Sequence, residues 1–151
     1  MTFFIMLVLT RKSGLTPDQF RDYYIGSHLP MLRQLIGSHF PVRHIQRYIQ
    51  RTDGPRKHDN TFRNRTTPAT VLLGNQSDFD YDAIVTLEFA DEAAYQAHYD
   101  FVRQPDIKTR ITEDEKRFLD RLQTRTVVLG EIIEVTASST RSTPHSTLTY
   151  Y

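Results

Sequence analysis

The chain has 151 residues, 38% of them hydrophobic and 11% aromatic, which suits one domain with a real core and argues against a disordered chain. Nineteen Lys plus Arg against eighteen Asp plus Glu leave a formal net charge of +1, so no global field draws the chain to nucleic acid or an anionic membrane. Cysteine is absent, which excludes disulfides, thiolate nucleophiles and cysteine metal sites and is compatible with a reducing cytoplasmic setting.

Residues 3–9 are apolar at every position, too short to span a bilayer, and read as a strand buried on both faces. A helix follows with a clear start. Thr16 supplies the N-cap oxygen, Pro17 fits the first helical position, and Asp18 and Gln19 meet the open N-terminal turn. Phe20, Tyr23 and Tyr24 recur at i, i+3 and i+4 as one buried stripe, and Gly26 and Pro30 predict that the helix stops near Ile25. His28 then lies just past the end, either as a C-terminal cap or as a proton donor or acceptor facing a cavity.

Residues 31–36 predict another one or two helical turns ended by Gly37, and residues 42–51 alternate as a strand. One face of that strand carries His44, Gln46 and Tyr48, which is either a polar cavity wall or a half-wet sheet edge. The basic stretch 52–68 reads as a long surface insertion, with Asp53-Gly54-Pro55 as a turn and a single aromatic, Phe62, poor equipment for nucleic acid. Residues 83–89 form a strand on which Asp82, Thr86 and Glu88 share a face with Ile84. Asp91 caps a helix whose buried stripe is Ala94, Ala97, His98, Phe101 and Val102. A short helix after Pro105 is capped by Thr112 with Glu115 three residues on, turning Phe118, Leu119 and Leu122 inward, and a strand over 126–135 closes the fold. The domain is thus 1–136, followed by a Ser/Thr-rich tail, 137–151, with too little apolar area to fold alone.

This order is a doubled β-α-β unit: an α+β, ferredoxin-like βαββαβ protomer with helices on one face of an antiparallel sheet. The other face needs cover, and a second copy is the simplest, giving a homodimer. Arg11-Lys12-Ser13-Gly14-Leu15-Thr16-Pro17-Asp18-Gln19-Phe20, Tyr24 through His28-Leu29-Pro30, Tyr81-Asp82-Ala83-Ile84 and residues 114–120 together resemble the EthD-like proteins of the dimeric α+β barrel superfamily. The resemblance covers residues 3–135. It implies a ferredoxin-like protomer, a barrel of two paired sheets and a cavity between sheet and helices. Within the family the chain is most similar to fungal secondary-metabolism members, which implies cofactor-free decarboxylase, dehydratase or cyclase activity on aromatic polyketides.

The six histidines form no metal motif, and no nucleophile elbow, phosphate loop or dinucleotide fingerprint is present. What remains is acid–base chemistry by His, Tyr, Asp and Glu in an apolar cavity, suited to β-keto or enolisable polyketide acids and demanding no cofactor. His28 is the candidate acid or base, Tyr24 or Tyr48 the donor to a developing oxyanion, Asp82 the orienting or relaying carboxylate, and His98 a second base or a core histidine. His44, Phe20, Thr86 and Phe101 are candidate substrate contacts. Two other functions fit the same residues: a non-catalytic module that binds a small molecule or supports a partner enzyme, and a cofactor-free oxygenase of anthrone-like substrates.

Overall fold

A computed structural model describes residues 1–52, 64 and 66–138. Most of the basic insertion, with its Asp53-Gly54-Pro55 turn, and the tail beyond Ser138 lie outside the described residues.

Four strands, β1 (Phe3–Leu9), β2 (Arg43–Tyr48), β3 (Ala83–Phe89) and β4 (Arg125–Leu129), form one sheet in the order β2-β3-β1-β4, with every neighbour antiparallel. With the helices described below, this is the ferredoxin-like α+β fold. The wholly apolar β1 is central, between β3 and β4. One of its faces, with Ile5 and Leu9 beside Ala83, Val85, Leu87 and Phe89 of β3, lies in the core. The opposite face carries Phe4, Met6 and Val8 in register with Glu88, Thr86 and Ile84 of β3, and with Leu129, Val127 and Arg125 of β4.

The first helical segment is one continuous run. Helix α1 (Pro17–Tyr23) begins with a reciprocal capping box, Thr16 Oγ1 accepting from the Gln19 N–H at 3.1 Å and Gln19 Oε1 from the Thr16 N–H at 2.9 Å. The helix does not stop at Ile25. A π-helical turn (Tyr24–His28) carries the chain into α2 (Leu29–Ile36), with the Leu29 N–H bonded to the Tyr24 carbonyl five residues back. Pro30 cannot donate to the Gly26 carbonyl, and the wider turn absorbs the missing bond. Gly37, at φ +59°, then ends α2 as expected.

Helix α3 (Glu92–Val102) starts at Asp91, whose carboxylate accepts from the Ala94 N–H at 2.7 Å. Helix α4 (Pro105–Glu115) starts at Pro105 itself. Thr112 is therefore inside this helix rather than at its cap, because a proline in the first turn is a start signal in its own right. Phe118 and Leu119 are buried as expected, whereas Leu122 is 86% exposed. The closing strand is also shorter than 126–135, its ladder with β1 running only from Arg125 to Leu129. Likewise β2 stops at Tyr48, and Arg51 makes only an isolated bridge to Ala69.

Phe20 and Phe118 are fully buried and pack ring to ring, 5.7 Å between centroids, at the centre of the core. A separate buried knot ties the loops at one end of the sheet. Asp82 accepts from the Arg11 backbone N–H at 2.8 Å and pairs with the Arg11 guanidinium at 2.5 Å, while Arg51 approaches the same carboxylate at 3.4 Å. Arg11 also donates to Asn64 Oδ1 and the Leu15 carbonyl, and Arg51 to the carbonyls of Thr67, Phe79 and Tyr81. Asp82 is thus committed to holding two buried cations, which rules out the relay to His28 expected from sequence.

Candidate active site

Between the helix-covered sheet face and the helices lies a cavity of about 440 Å³, a volume typical of small-molecule sites. Its walls are largely apolar, among them Leu7, Leu32, Ile36, Phe40 and Tyr95, and into it face Tyr24, His28, His44 and His98. Arg103, Lys108 and Arg121 also border it, beside Glu115.

His28 sits in the π turn, 3% exposed, its ring 4.7 Å from that of Phe118. Its side chain caps no helix end; instead Nδ1 lies 2.7 Å from Asp114 Oδ2 in α4. Burial opposes ionisation of Asp114, but hydrogen bonds from His28 and from the Tyr23 hydroxyl at 2.8 Å hold its carboxyl below the usual carboxylate range. A carboxylate only accepts, so the neutral imidazole carries its proton on Nδ1 and donates it to Asp114. Nε2 is left with a free lone pair, on a ring that lines the cavity. An imidazole oriented in this way by a carboxylate can take or return a proton at Nε2.

Tyr24 stands between two imidazoles, with its ring centroid 5.8 Å from His28 and 5.8 Å from His44. Its hydroxyl is 3.1 Å from His44 Nε2. Burial raises the Tyr24 phenol well above its ordinary value and pushes His44 down to about 4, so both are neutral at physiological pH. His98 donates from Nδ1 to the His39 carbonyl at 2.8 Å and packs on Phe89, and burial lowers its pKa as well.

The remaining sequence candidates lie elsewhere. Phe20 is core beneath the site, in edge contact with Tyr24. Tyr48 bonds Gln46 and borders a different, more polar recess with Asp82 and Arg51. Burial raises its phenol to about 12. Thr86 pairs with Met6 and Ile45 on the sheet face away from the helices, because strand alternation puts it opposite Val85 and Leu87. Phe101 packs on His39, 5.1 Å between centroids, one position short of the cavity-lining Val102. In the sequence Asp114 stands out only as part of the stretch 114–120, and 86 residues separate it from His28.

Among the described residues no group of three or more His, Cys, Asp or Glu side chains is placed to hold a metal ion, and no helix is long and apolar enough to cross a membrane.

The buried imidazoles make stability pH-dependent. His44 and His98 titrate lower in the folded chain than in the unfolded one, where histidine has its ordinary value of 6.5. Below that pH the unfolded state binds more protons, so this contribution is complete above about 6.5 and declines as the pH falls toward about 4. The urea midpoint is expected to fall as the pH drops through that window, and His44→Gln to shallow the decline. A flat profile would mean that His44 is not held neutral.

Residues 12–122 match the family model described as the EthD domain. Among curated proteins no match is found. Solved structures similar to the chain include an ethyl tert-butyl ether D (EthD) family protein of Bacillus halodurans C-125, at 12% identity and TM-score 0.51, covering 86% of this chain and 99% of that one. An EthD-like protein of Ralstonia eutropha JMP134 is 13% identical over 85% of this chain and 87% of its own, with TM-score 0.46. A dimeric ferredoxin-like protein of unknown function from Thermobifida fusca YX is 14% identical over 86% and 91%, with TM-score 0.44.

Proposed function

We propose, from the premise that the chain belongs to the EthD domain family, that it is a cofactor-independent acid–base enzyme of aromatic polyketide biosynthesis, a lyase or cyclase acting on a β-keto or enolisable polyketide acid. The observation that carries this reading is the His28–Asp114 pair, in which a buried imidazole that lines an apolar cavity is held through Nδ1 by a partly buried carboxylate, leaving Nε2 uncommitted.

Removal of carbon dioxide or water from such a substrate passes through an enolate or enol. One group must deliver or accept a proton at carbon, and another must stabilise charge on the neighbouring oxygen. His28 Nε2 fills the first role, with Asp114 accepting from Nδ1 and so fixing the tautomer. Leu32, Ile36, Phe40 and Tyr95 offer an apolar berth for fused rings, and Arg103 and Lys108 at the border attract an acid, Arg121 being paired with Glu115. Purified protein incubated with an aromatic β-keto acid tests the reading through loss of substrate and release of carbon dioxide or water. Oxygen consumption in the same reaction would point to the oxygenase alternative instead.

The reading includes a homodimer. Met6, Val8, Ile45 and Ile84 are only partly buried and Val127 is 51% exposed on the sheet face away from the helices, an apolar surface that a second sheet would cover. Sedimentation is expected to give a dimer at micromolar concentration, and Ile84→Glu to shift it to monomer. A monomeric wild type would contradict this part of the reading.

A further inference from the structure

Tyr24 and His44 share one hydrogen bond on the cavity wall, and which of them donates decides what the pair can do. Their Oη and Nε2 are 3.1 Å apart. If the phenol donated, neutral His44 would carry its proton on Nδ1. That nitrogen is buried and among the described residues has no partner in hydrogen-bond geometry, its own backbone carbonyl being close but poorly aligned. A buried N–H without an acceptor loses its hydration for nothing, and such orphan donors are rarer in folded proteins than under-satisfied acceptors. The proton therefore belongs on Nε2, which donates to Tyr24 Oη. The phenolic hydrogen is then available to a ligand, since a hydroxyl accepts and donates at once.

We infer that His44 is a positioning residue that sets Tyr24 as hydrogen-bond donor to a phenolic or enolic oxygen of the ligand, next to the Nε2 of His28. The inference rests on the acid–base reading of the cavity and assigns the substrate class an oxygen, on or conjugated to the aromatic ring, that gains charge during reaction. The titratable groups nearest the couple are His28 on the π turn, Tyr48 on β2 and Glu115 on α4. Burial keeps the phenol protonated and His44 uncharged down to about pH 4, so the arrangement persists through the physiological range. Neither Tyr48, engaged with Gln46, nor Asp82, engaged with two arginines, can substitute for it.

The test is binding of 2-naphthol, followed by its fluorescence, to wild type, Tyr24→Phe, His44→Leu and His44→Gln, each checked for folding by circular dichroism. Glutamine can place an amide N–H where Nε2 stands; leucine cannot. Tyr24→Phe and His44→Leu are each expected to weaken binding about tenfold, the worth of one hydrogen bond, and His44→Gln to recover to within about threefold of wild type. The double variant Tyr24→Phe/His44→Leu should bind no more weakly than Tyr24→Phe alone, because the two act as one unit. Should His44→Leu fail to fold, His44→Met serves as the non-donor. Failure of wild type to bind 2-naphthol, equal weakness of His44→Gln and the non-donor, or losses that multiply in the double variant would each overturn the inference. Binding that follows the expected order without turnover of any β-keto acid would instead remove the enzymatic reading and leave the Tyr24–His44 couple standing.

Discussion

His28→Asn is expected to slow turnover by about 10²–10⁴-fold, the range of a positioned acid–base group, while leaving the fold intact. The asparagine amide can still donate to Asp114 from near the position of Nδ1, which lies 2.7 Å from the carboxylate in the native chain. What disappears is the second ring nitrogen, Nε2. His28→Ala removes both, leaving Asp114 with only the Tyr23 hydroxyl as a close partner and Arg117 at 4.0 Å; it should therefore lose stability as well as rate. Comparison of kcat and unfolding midpoints for the two variants separates the roles. Near-normal turnover in His28→Asn would move proton transfer to His98, another cavity imidazole whose Nδ1 is already engaged.

Asp82→Ala is expected to destabilise the fold by about 3–5 kcal/mol, the cost of leaving buried charge uncompensated. The side chains of Asp82, Arg11 and Arg51 are 3%, 4% and 5% exposed, so water cannot replace the lost carboxylate. Both arginines retain carbonyl acceptors, yet both lose the buried carboxylate that joins them. Asp82→Asn preserves an acceptor and should fall between wild type and alanine. Denaturant unfolding measures the series. A loss below about 1 kcal/mol in Asp82→Ala would indicate that water reaches the knot and that the ion pairs contribute little.

The same two residues mark how far sequence alone reaches. Local rules located what local chemistry decides: the Thr16 N-cap, the Asp91 cap, the apolar β1 and the glycine that ends α2. Gly26 and Pro30 misled, because each weakens an α-helix and neither announces a π turn. That turn requires no bond from Pro30 and swings His28 inward instead of releasing it at a helix end. The carboxylate assigned to His28 was wrong for a different reason. Strand alternation says which face a residue occupies but not which distant side chains wait beyond the strand's end, where Arg11 and Arg51 claim Asp82. The pairing of Asp114 with His28 is hidden for the same cause: only the packing of α4 against the π turn brings the two together. On β2 the alternation did set His44, Gln46 and Tyr48 on one face. Their fates diverged along the strand, His44 meeting Tyr24 in the cavity and Tyr48 bonding Gln46 beside the polar recess.

The central claim is that His28 exchanges protons with a carbon acid in the cavity, and hydrogen exchange tests it with the fewest assumptions about the final product. An aromatic β-diketone that cannot lose carbon dioxide or water is incubated in D₂O with wild type and with His28→Asn, and uptake of deuterium at its α-carbon is followed by NMR. Wild type should accelerate exchange well beyond buffer, and His28→Asn should fall back by about 10²-fold or more. Ligand that binds wild type but exchanges no faster than in buffer would contradict the account.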